Sequence, residues 1–518
     1  MRDFFRFGRR GLWALGLALG AAMALGAQEE GPVLRLTLDD ALAKALEKNF
    51  DIRVERLVLD QADAALKGAY GLYDPNLSLD LSTSVTRQPT SSILQAGAQA
   101  NLYLNRQERY GLGLNQFTPW GQTFSLSWDN NRQKTNSRYA LLNPSFGSSA
   151  ALSTTLPLLR GFGRAAASRT VLLARIDRRS ADAQFEQRLR DTLVQVEQDY
   201  WNLVFAVKDL EVRQRALELA RTFQEETRRK VEVGVLAPIE QIAADAQVAA
   251  REQEIIASRQ NVGDRMDILK LSLGILRDSP EWDLTLLPTD EPLLGAPNDY
   301  DEKSLIDKAL GSRPEIRSAE ERVEKARVNA GWARNQVLPQ LDLTAGLTYN
   351  GISGRSINPF TGEVISGGFS DAWKQITGLD YKSYFAGISF RIPIGNRAAR
   401  YQFQQFRLAQ AAEEVALEKL RLQVANEVRS SLRGLEAARK RVEAARLTLK
   451  LQQEKLDAER KKYDNGLSTA FNVLSYQNDL SAAESAFLKA TIDARLAAAA
   501  LDRAVGVYFE SRKIQWKP

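Results

Sequence analysis

The sequence predicts a mainly α-helical protein with a smaller β part, built from two copies of one elongated unit. Three observations lead to this fold class. Two helical patterns run far longer than a globular domain needs, segments of alternating apolar residues adjoin single prolines, and similar residues recur at a constant offset along the 518-residue chain. Together they indicate long antiparallel coiled-coil helices with strands gathered at one end.

The first long helix is predicted from about Arg164 to Val231, a stretch without proline or glycine. Its apolar positions alternate in steps of four and three, as a heptad seam does: Leu189, Leu193, Val196, Tyr200, Leu203, Val207 and Leu210. Such a period is typical of a coiled coil, and a helix of this length spans roughly 100 Å. A second helix of the same kind is predicted from about Arg397 to Tyr463.

Residues 1–27 have the pattern of a secretory signal peptide. Four arginines precede an apolar stretch from Leu12 to Leu25, and small residues near Ala27 form a cleavage site. An uncleaved anchor is the less favoured alternative. The rest of the sequence has no window of 18 apolar residues, so we expect any passage through a bilayer to use a closed barrel.

Composition excludes several classes of function. The chain has no cysteine, which excludes disulfides, thiol chemistry and a lipid-modified cysteine, and it has no histidine, the commonest general base. No spacing indicates a nucleophile with a base, so we expect no catalytic residue, metal site or cofactor. Four arginines and one aspartate among the first ten residues carry about half of the formal charge of +6, so nucleic acid is not an expected partner.

The first half of the chain is predicted as a helix, several strands and the first long helix. The opening helix runs from Leu38 to about Tyr70, and Pro75 ends helical geometry. Period-two alternation then predicts strands at Leu77–Leu81, Tyr110–Leu114, Phe124–Trp128 and Ala151–Leu156. The residues Pro119, Trp120 and Gly121 form a tight turn between the second and third of these segments.

The second half is predicted to follow the same plan. A turn at Gly234 follows the first long helix, and a helix from Pro238 to about Leu273 leads to a proline-rich linker. The second half then begins with a helix over about Lys303–Ala333, a strand over Leu341–Leu347, a Gly- and Ser-rich surface loop over 350–380 and a strand over Tyr384–Ile392. It ends with the second long helix, a turn at Gly466 and a helix to about Val505.

Residues of the second half repeat those of the first at an offset of 264. The segments Lys44-Ala45-Leu46 and Pro75-x-Leu77-x-Leu79 recur as Lys308-Ala309-Leu310 and Pro339-x-Leu341-x-Leu343. The expected organisation is a signal peptide (1–27), a first repeat (28–276), a proline-rich equatorial linker (277–299), a second repeat (300–508) and a C-terminal tail (509–518).

This arrangement resembles the TolC-like outer-membrane factor family over nearly the whole chain after the signal. The resemblance rests on the doubled Pro-x-Leu-x-Leu strand entries and on three further segments: Pro-Leu-Leu-Arg-Gly-Phe-Gly-Arg (157–164), Gly234-x-x-x-Pro-Ile-Glu240 and Tyr463-x-x-Gly466-Leu-Ser-Thr-Ala-Phe-Asn472-Val-Leu474. It implies a homotrimer in which an outer-membrane β-barrel continues into a periplasmic α-barrel. One chain with four strands cannot close a barrel, whereas three copies supply twelve.

The resemblance also implies a function and partners. The protein would be a passive exit duct for drug efflux or type I secretion, not an enzyme, located in the outer membrane and extending into the periplasm. Its partners would be two further copies, a periplasmic adaptor protein, an inner-membrane transporter of RND, ABC or MFS type, and outer-membrane lipid. The alternative is a periplasmic coiled-coil structural or adaptor protein without a pore, against which the proline-bounded strands argue.

Three groups of residues are expected to carry this function. They are the adaptor-docking tips Gly234, Leu236, Gly466 and Leu467; the periplasmic aperture Glu240, Tyr463, Ser468, Asn472 and Ser475; and the strand–helix junctions Pro75, Pro157, Pro339 and Pro393. The family pattern often has arginine at the position of Ser468 and acids at those of Asn472 and Ser475, so we expect a less firmly closed aperture. The extra segments at 110–117 and 122–131 are expected to form an extracellular hairpin; the alternative is two added strands per protomer.

Overall fold

The computed structural model describes residues 33–90, 102–137, 139–292, 300–357 and 361–514. The predicted signal peptide, residues 293–299 of the predicted linker and residues 515–518 of the predicted tail lie outside these ranges. A mainly helical fold with a sheet part is confirmed.

The helices and strands follow in chain order. The helices are α1 (Leu38–Lys48), α2 (Phe50–Ala69), α3 (Arg164–Ala167), α4 (Arg169–Glu232), α5 (Pro238–Ser272), α6 (Glu302–Ser312), α7 (Pro314–Gln336), α8 (Phe369–Thr377), α9 (Arg397–Asp464), α10 (Ala470–Val505) and α11 (Tyr508–Ser511). The strands are β1 (Val33–Leu36), β2 (Asn76–Pro89), β3 (Leu102–Phe117), β4 (Thr123–Thr135), β5 (Ser145–Pro157), β6 (Thr285–Pro288), β7 (Gln340–Ile357), β8 (Val364–Ser366) and β9 (Tyr381–Arg391).

Three helices that the sequence pattern joins are each broken once. The long helix predicted from Arg164 is interrupted at Ser168, which separates α3 from α4. Asn49 ends α1, and its side chain accepts a hydrogen bond from the backbone N–H of Ile52, so that it caps α2. Arg313 separates α6 from α7 because Pro314 follows, and a residue before proline avoids helical geometry. The predicted continuous helices over 38–70 and 303–333 are therefore corrected to helix pairs.

The helices pack side by side around α4. Next to the large sheet, the contacts give the order α2, α4, α7, α9. Toward the opposite end, α5 packs on α4, and α10 packs on both α4 and α9. With 64 and 68 residues, α4 and α9 each span about 100 Å at the rise of an α-helix.

The predicted seam of α4 forms the main core. Its side chains Leu193, Val196, Tyr200 and Leu203 are fully buried. The hydroxyl of Tyr200 donates to the carboxylate of Asp290 at 2.6 Å, which fixes the segment after β6 to α4. Burial in this core raises the pKa of the Tyr200 hydroxyl, so that it stays a donor.

Strand β6 lies in the predicted linker and pairs in parallel with β1, near the start of the described chain. The predicted surface loop over 350–380 is corrected. It contains the end of β7, strand β8 and helix α8. Among the described residues, no helix is both long enough and apolar enough to cross a membrane.

The large sheet has the order β2-β3-β4-β5-β7-β9, with β8 beside the end of β7. The expected extracellular hairpin over 110–131 is wrong. These residues belong to β3 and β4, of 16 and 13 residues, which pair along their length between β2 and β5. Because a paired strand satisfies its backbone donors and acceptors, long alternating segments are more stable inside the sheet than as a free hairpin.

The ion pair between Arg512 and Glu197 allows a test of the core. The two side chains lie 2.6 Å apart, and Glu197 is 1% exposed. We expect Arg512→Ala to lower the free energy of unfolding by about 3–5 kcal/mol, because it leaves a buried carboxylate without its cation. Arg229→Ala is the matched control, since Arg229 pairs with Glu225 at the surface, where a loss within about 1 kcal/mol is expected. Denaturant unfolding followed by circular dichroism measures both, and equal losses would contradict this assignment.

Candidate functional site

The large sheet has one apolar face. Cross-strand pairs place Leu79 opposite Leu112, and Leu112 opposite Trp128. Side chains directly opposite each other point to the same side of a sheet. The exposed members of this face are Leu77, Leu79, Leu81, Tyr110, Leu112, Leu114, Phe124, Leu126, Trp128, Leu152, Leu343, Tyr384, Ile388 and Phe390. Such an extensive exposed apolar surface indicates contact with a membrane or another protein.

The opposite face of the same sheet is polar. One row crosses the six long strands through residues that pair in succession: Asp80, Gly111, Asp129, Ser149, Asn350 and Tyr381. Serine and threonine side chains occupy much of the remaining face, including Ser78, Ser127, Ser153 and Thr348. A sheet with one apolar and one polar face is typical of a wall between an apolar and an aqueous phase.

Helix α8 lies against the apolar face. The ring centroid of Phe369 is 4.8 Å from that of Phe146, and the centroid of Trp373 is 5.1 Å from that of Trp128. The side-chain amide of Gln375 donates to the carbonyl of Ile352 at 3.0 Å. Sequence reasoning missed this helix, although apolar residues at 369, 372, 373 and 376 have helical spacing.

The predicted junction prolines all lie at strand ends that face the long helices. Their positions are just before β2 (Pro75), at the last residue of β5 (Pro157), just before β7 (Pro339) and shortly after β9 (Pro393). The two halves of the chain meet here, because the N–H of Leu158 donates to the carbonyl of Leu341 at 2.7 Å. Proline suits these positions since it cannot continue either a helix or a central strand.

The turn between β3 and β4 is fixed to the same junction. The N–H of Gly163 donates to the carbonyl of Trp120 at 3.0 Å, and the hydroxyl of Ser168 donates to the carbonyl of Pro119 at 3.1 Å. Gly121 has a φ of 93°, and a Cβ there would lie 2.5 Å from the carbonyl oxygen of Gly161. The two strands that sequence reasoning placed outside the sheet are thus attached to the start of α4.

The far ends of α4 and α9 carry the predicted docking glycines. Gly234 and Gly466 have φ values of 76° and 73°, in the left-handed region that favours glycine. The backbone N–H after each glycine donates to a carbonyl of the preceding helical turn, at 2.8 Å and 2.9 Å respectively. Both glycines therefore cap the C-terminal ends of their helices.

An exposed apolar patch, which we call the tip patch, surrounds these two turns. Its members are each more than 60% exposed: Val233, Val235, Ile239, Leu467 and Phe471. Of the predicted docking residues, Leu467 belongs to the patch, whereas Leu236 is half-buried and packs on the cluster that contains Phe223 and Tyr463. Only a partner or a neighbouring copy can remove this apolar surface from water.

Tyr463 lies inside that hydrophobic cluster of its own chain. Its ring centroid is 5.3 Å from that of Phe223, and the ammonium of Lys230 lies 4.5 Å from the ring centroid. The hydroxyl is buried and has no hydrogen-bond partner among the described residues. Glu240, which was also expected at the aperture, lies half-buried in the first turn of α5.

Two of the predicted aperture residues form a polar chain with a residue that sequence reasoning missed. The amide of Asn472 donates to the hydroxyl of Ser468 at 3.3 Å, and that hydroxyl donates to the carboxylate of Glu459 at 2.6 Å. This hydrogen bond from Ser468 lowers the pKa of Glu459 below its usual value. Ser475 is half-buried on α10, one helical turn further on. Glu459 occupies a seam position of α9 between Leu456 and Tyr463, and a charged residue at a buried seam position was a signal that sequence reasoning did not use.

Two ion pairs tie the end of α4 to the end of α9. Lys230 lies 3.3 Å from Asp464, and Arg460 lies 3.0 Å from Glu226. Sequence reasoning did not find them, because the packing of two distant helices decides which charges meet. Within the described ranges, no cluster of three or more carboxylates is arranged to hold a metal ion.

Comparisons with known proteins agree with this geometry. Residues 305–507 match the family model described as outer membrane efflux protein. No curated protein sequence matches the chain. Among solved structures, the outer-membrane channel OprN is similar with a TM-score of 0.66 at 16% identity, covering 90% of this chain and 89% of that chain.

Two further solved channels show the same fold. The CmeC outer membrane channel of Campylobacter jejuni has a TM-score of 0.63 at 17% identity, covering 91% of this chain and 86% of that chain. The MtrE outer membrane channel of Neisseria gonorrhoeae, in its open state, has a TM-score of 0.61 at 18% identity, covering 91% of this chain and 89% of that chain. The resemblance predicted from the sequence is confirmed by the fold and by the family match over residues 305–507.

One glycine within α9, Gly434, and one just after its end, Gly466, allow a test of the tip geometry. Nothing lies within 4 Å of a Cβ built on Gly466 or Gly434, so only backbone conformation distinguishes them. We expect Gly466→Ala to lower the free energy of unfolding by about 1 kcal/mol, because alanine is strained at positive φ. Gly434→Ala lies within the helix and should raise it by up to about 1 kcal/mol. Thermal unfolding of both variants measures the difference, and a shift of the same sign in both would contradict it.

Proposed function

We propose that this chain, in which residues 305–507 match the outer membrane efflux protein family, is the outer-membrane channel of a tripartite efflux or type I secretion system. In this role it is a passive exit duct across the periplasm and the outer membrane. It performs no chemistry on its cargo.

One observation carries this proposal. A six-stranded sheet with one apolar and one polar face lies at the end of helices about 100 Å long. The apolar face suits lipid, the polar face suits a water-filled lumen, and the helices are long enough to reach far into the periplasm. A periplasmic coiled coil without a pore would leave this apolar face exposed to water.

The open edges of the chain support a homotrimer with a periplasmic α-barrel and an outer-membrane β-barrel. Along α9, exposed apolar residues recur every seven positions: Tyr401, Leu408, Val415 and Leu422. On α2, at the other edge of the helical layer, Val54, Leu57 and Val58 are also exposed. Such a stripe is a coiled-coil seam without a partner, and α2 of the next copy can complete it.

The element bounds support the two-repeat organisation. Helices α1 and α6 begin at Leu38 and Glu302 and end at Lys48 and Ser312, an offset of 264 at both ends. The strands β2 and β7 begin with the same offset. We therefore assign α1 to α5 and α6 to α10, with their strands, to two copies of one unit separated by the linker.

The tip patch is assigned as the docking surface for a periplasmic adaptor protein, which links the duct to an inner-membrane transporter of RND, ABC or MFS type. The aperture is assigned to the same end, around Glu240, Tyr463, Ser468, Asn472 and Ser475. The ion pairs of Lys230 and Arg460 hold the two hairpin ends of one chain together, so opening would move them as a unit.

The function is tested with the purified full chain in planar lipid bilayers and by fractionation of cells that express it. We expect recovery in the outer membrane and stepwise conductance. A monomer recovered in soluble form from the periplasm, without conductance, would overturn the proposal in favour of the non-channel coiled coil.

Strand β4 provides a test of which face meets lipid. Leu126 lies on the apolar face and Ser127, its neighbour, lies on the polar face. We expect Leu126→Arg to destabilise the inserted sheet by about 2–4 kcal/mol, because arginine is costly in the middle of a bilayer, whereas Ser127→Arg remains inserted. The amount of each variant in the outer-membrane fraction measures this, and equal recovery would show that the apolar face does not meet lipid.

The docking assignment is tested at Leu467, which is 78% exposed. Leu467→Asp should leave the fold intact and reduce adaptor co-purification and export at least tenfold, because it places a charge in the tip patch. Leu467→Met keeps the apolar surface and should retain both. Export by assembled Leu467→Asp protein at the normal level would place the docking surface elsewhere.

A further inference from the structure

We infer that three copies of this chain close an eighteen-stranded barrel through pairing of β9 with β2 of the next copy, and that its circumference equals that of the helical ring beneath it. This inference rests on the proposed function, since it takes the number of copies from there. It differs from the twelve strands that four per copy would give, because β3 and β4 are part of the sheet.

The two edge strands of the sheet are built for pairing. Strand β2 has 14 residues and β9 has 11, and nearly all of their residues are exposed. Each edge strand is hydrogen-bonded on one side only, within the part of the chain that the structure describes. Long, exposed and apolar edges are avoided in proteins unless another strand covers them. A second copy of the same sheet is therefore the occupant that fits.

Strand direction also fits a closed ring of copies. Neighbours in the sheet are antiparallel throughout, so the first strand, β2, and the sixth, β9, run in opposite directions. When β9 of one copy meets β2 of the next, the pair is again antiparallel. The apolar residues of both edges, such as Leu79 and Ile388, then continue on one outer face.

The register within the sheet gives the tilt of the strands. Successive cross-strand pairs connect Asn76, the first residue of β2, with Phe385 on β9. The paired residues on the four strands between them are Asn115, Ser125, Ser153 and Gly346. Phe385 lies six residues before the end of β9 at Arg391, where the sheet again meets the helices. Pairing of Arg391 with Asn76 of the next copy adds a sixth gap to the five within the sheet. A shift of six residues over six gaps corresponds to a tilt of about 35°, as in ordinary barrels.

This tilt decides the size of the barrel. Eighteen strands about 4.8 Å apart at this tilt need a circumference of about 105 Å, and twelve strands need about 70 Å. Next to the sheet each copy contributes α2, α4, α7 and α9, so three copies form a ring of twelve helices. At about 9 Å between helix axes, that ring has a circumference of about 110 Å. The added strands therefore let the barrel meet the ring without narrowing.

Disulfide trapping tests the closure, because the chain has no native cysteine. With the six-residue shift, Arg391 of one copy pairs with Asn76 of the next copy. Ser389 then pairs with Ser78 of the next copy, and both serines lie on the polar face. We expect the double variant Ser78→Cys with Ser389→Cys to form covalent trimers on oxidation of membranes. The matched control, Ser78→Cys with Ser383→Cys, corresponds to closure without stagger and should stay at background.

The outcomes separate this inference from the proposed function. Trapping of the control pair in place of the first pair overturns the tilt and the circumference. If the trimers conduct but neither cysteine pair forms a disulfide, pairing of β9 with β2 is overturned and the proposed channel function is retained. Trapped trimers that do not conduct support closure and overturn the channel. Electron cryomicroscopy of the trimer counts the strands directly, and a twelve-stranded ring would overturn the inference.

Discussion

The burial of the α4 seam is the interaction on which the rest of the structure depends. Leu193, Val196, Tyr200 and Leu203 are fully buried, and helices α2, α5, α7 and α10 all pack against α4. The same helix holds the segment after β6 through Tyr200 and the C-terminal segment through Glu197. Because α4 connects the large sheet with the tip patch, the length of this helix sets the distance between them.

The second constraint is that one chain leaves matching edges open. The sheet ends in β2 and β9, and the helical layer next to it ends in α2 and α9. The edge strands β2 and β9 therefore present unpaired backbone groups, and the outer helices α2 and α9 present apolar residues without a partner. A ring of copies satisfies both at once, which is why strand pairing and helix packing point to the same assembly.

Sequence reasoning was reliable where local pattern and burial coincide. The long helices, their end glycines and the junction prolines lie within a few residues of the predicted positions, because proline, glycine and a heptad seam act over one or two turns. It was least reliable for β3 and β4, whose alternation was recognised but whose partners were not. Tyr463, which was expected at the periplasmic aperture from its motif, packs on Phe223 of the same chain, a contact that the motif did not indicate.

The sequence by itself determined the helical periodicity, the strands with one apolar side and the resemblance to outer-membrane factors, since these depend on residue types at fixed spacing. Only the tertiary structure decided that the sheet has six long strands, that α8 covers part of its apolar face and that Lys230 meets Asp464. The physical reason is that strand pairing and ion pairing join residues far apart in the chain. Local pattern fixes which face of a strand is apolar, but not which strand lies beside it.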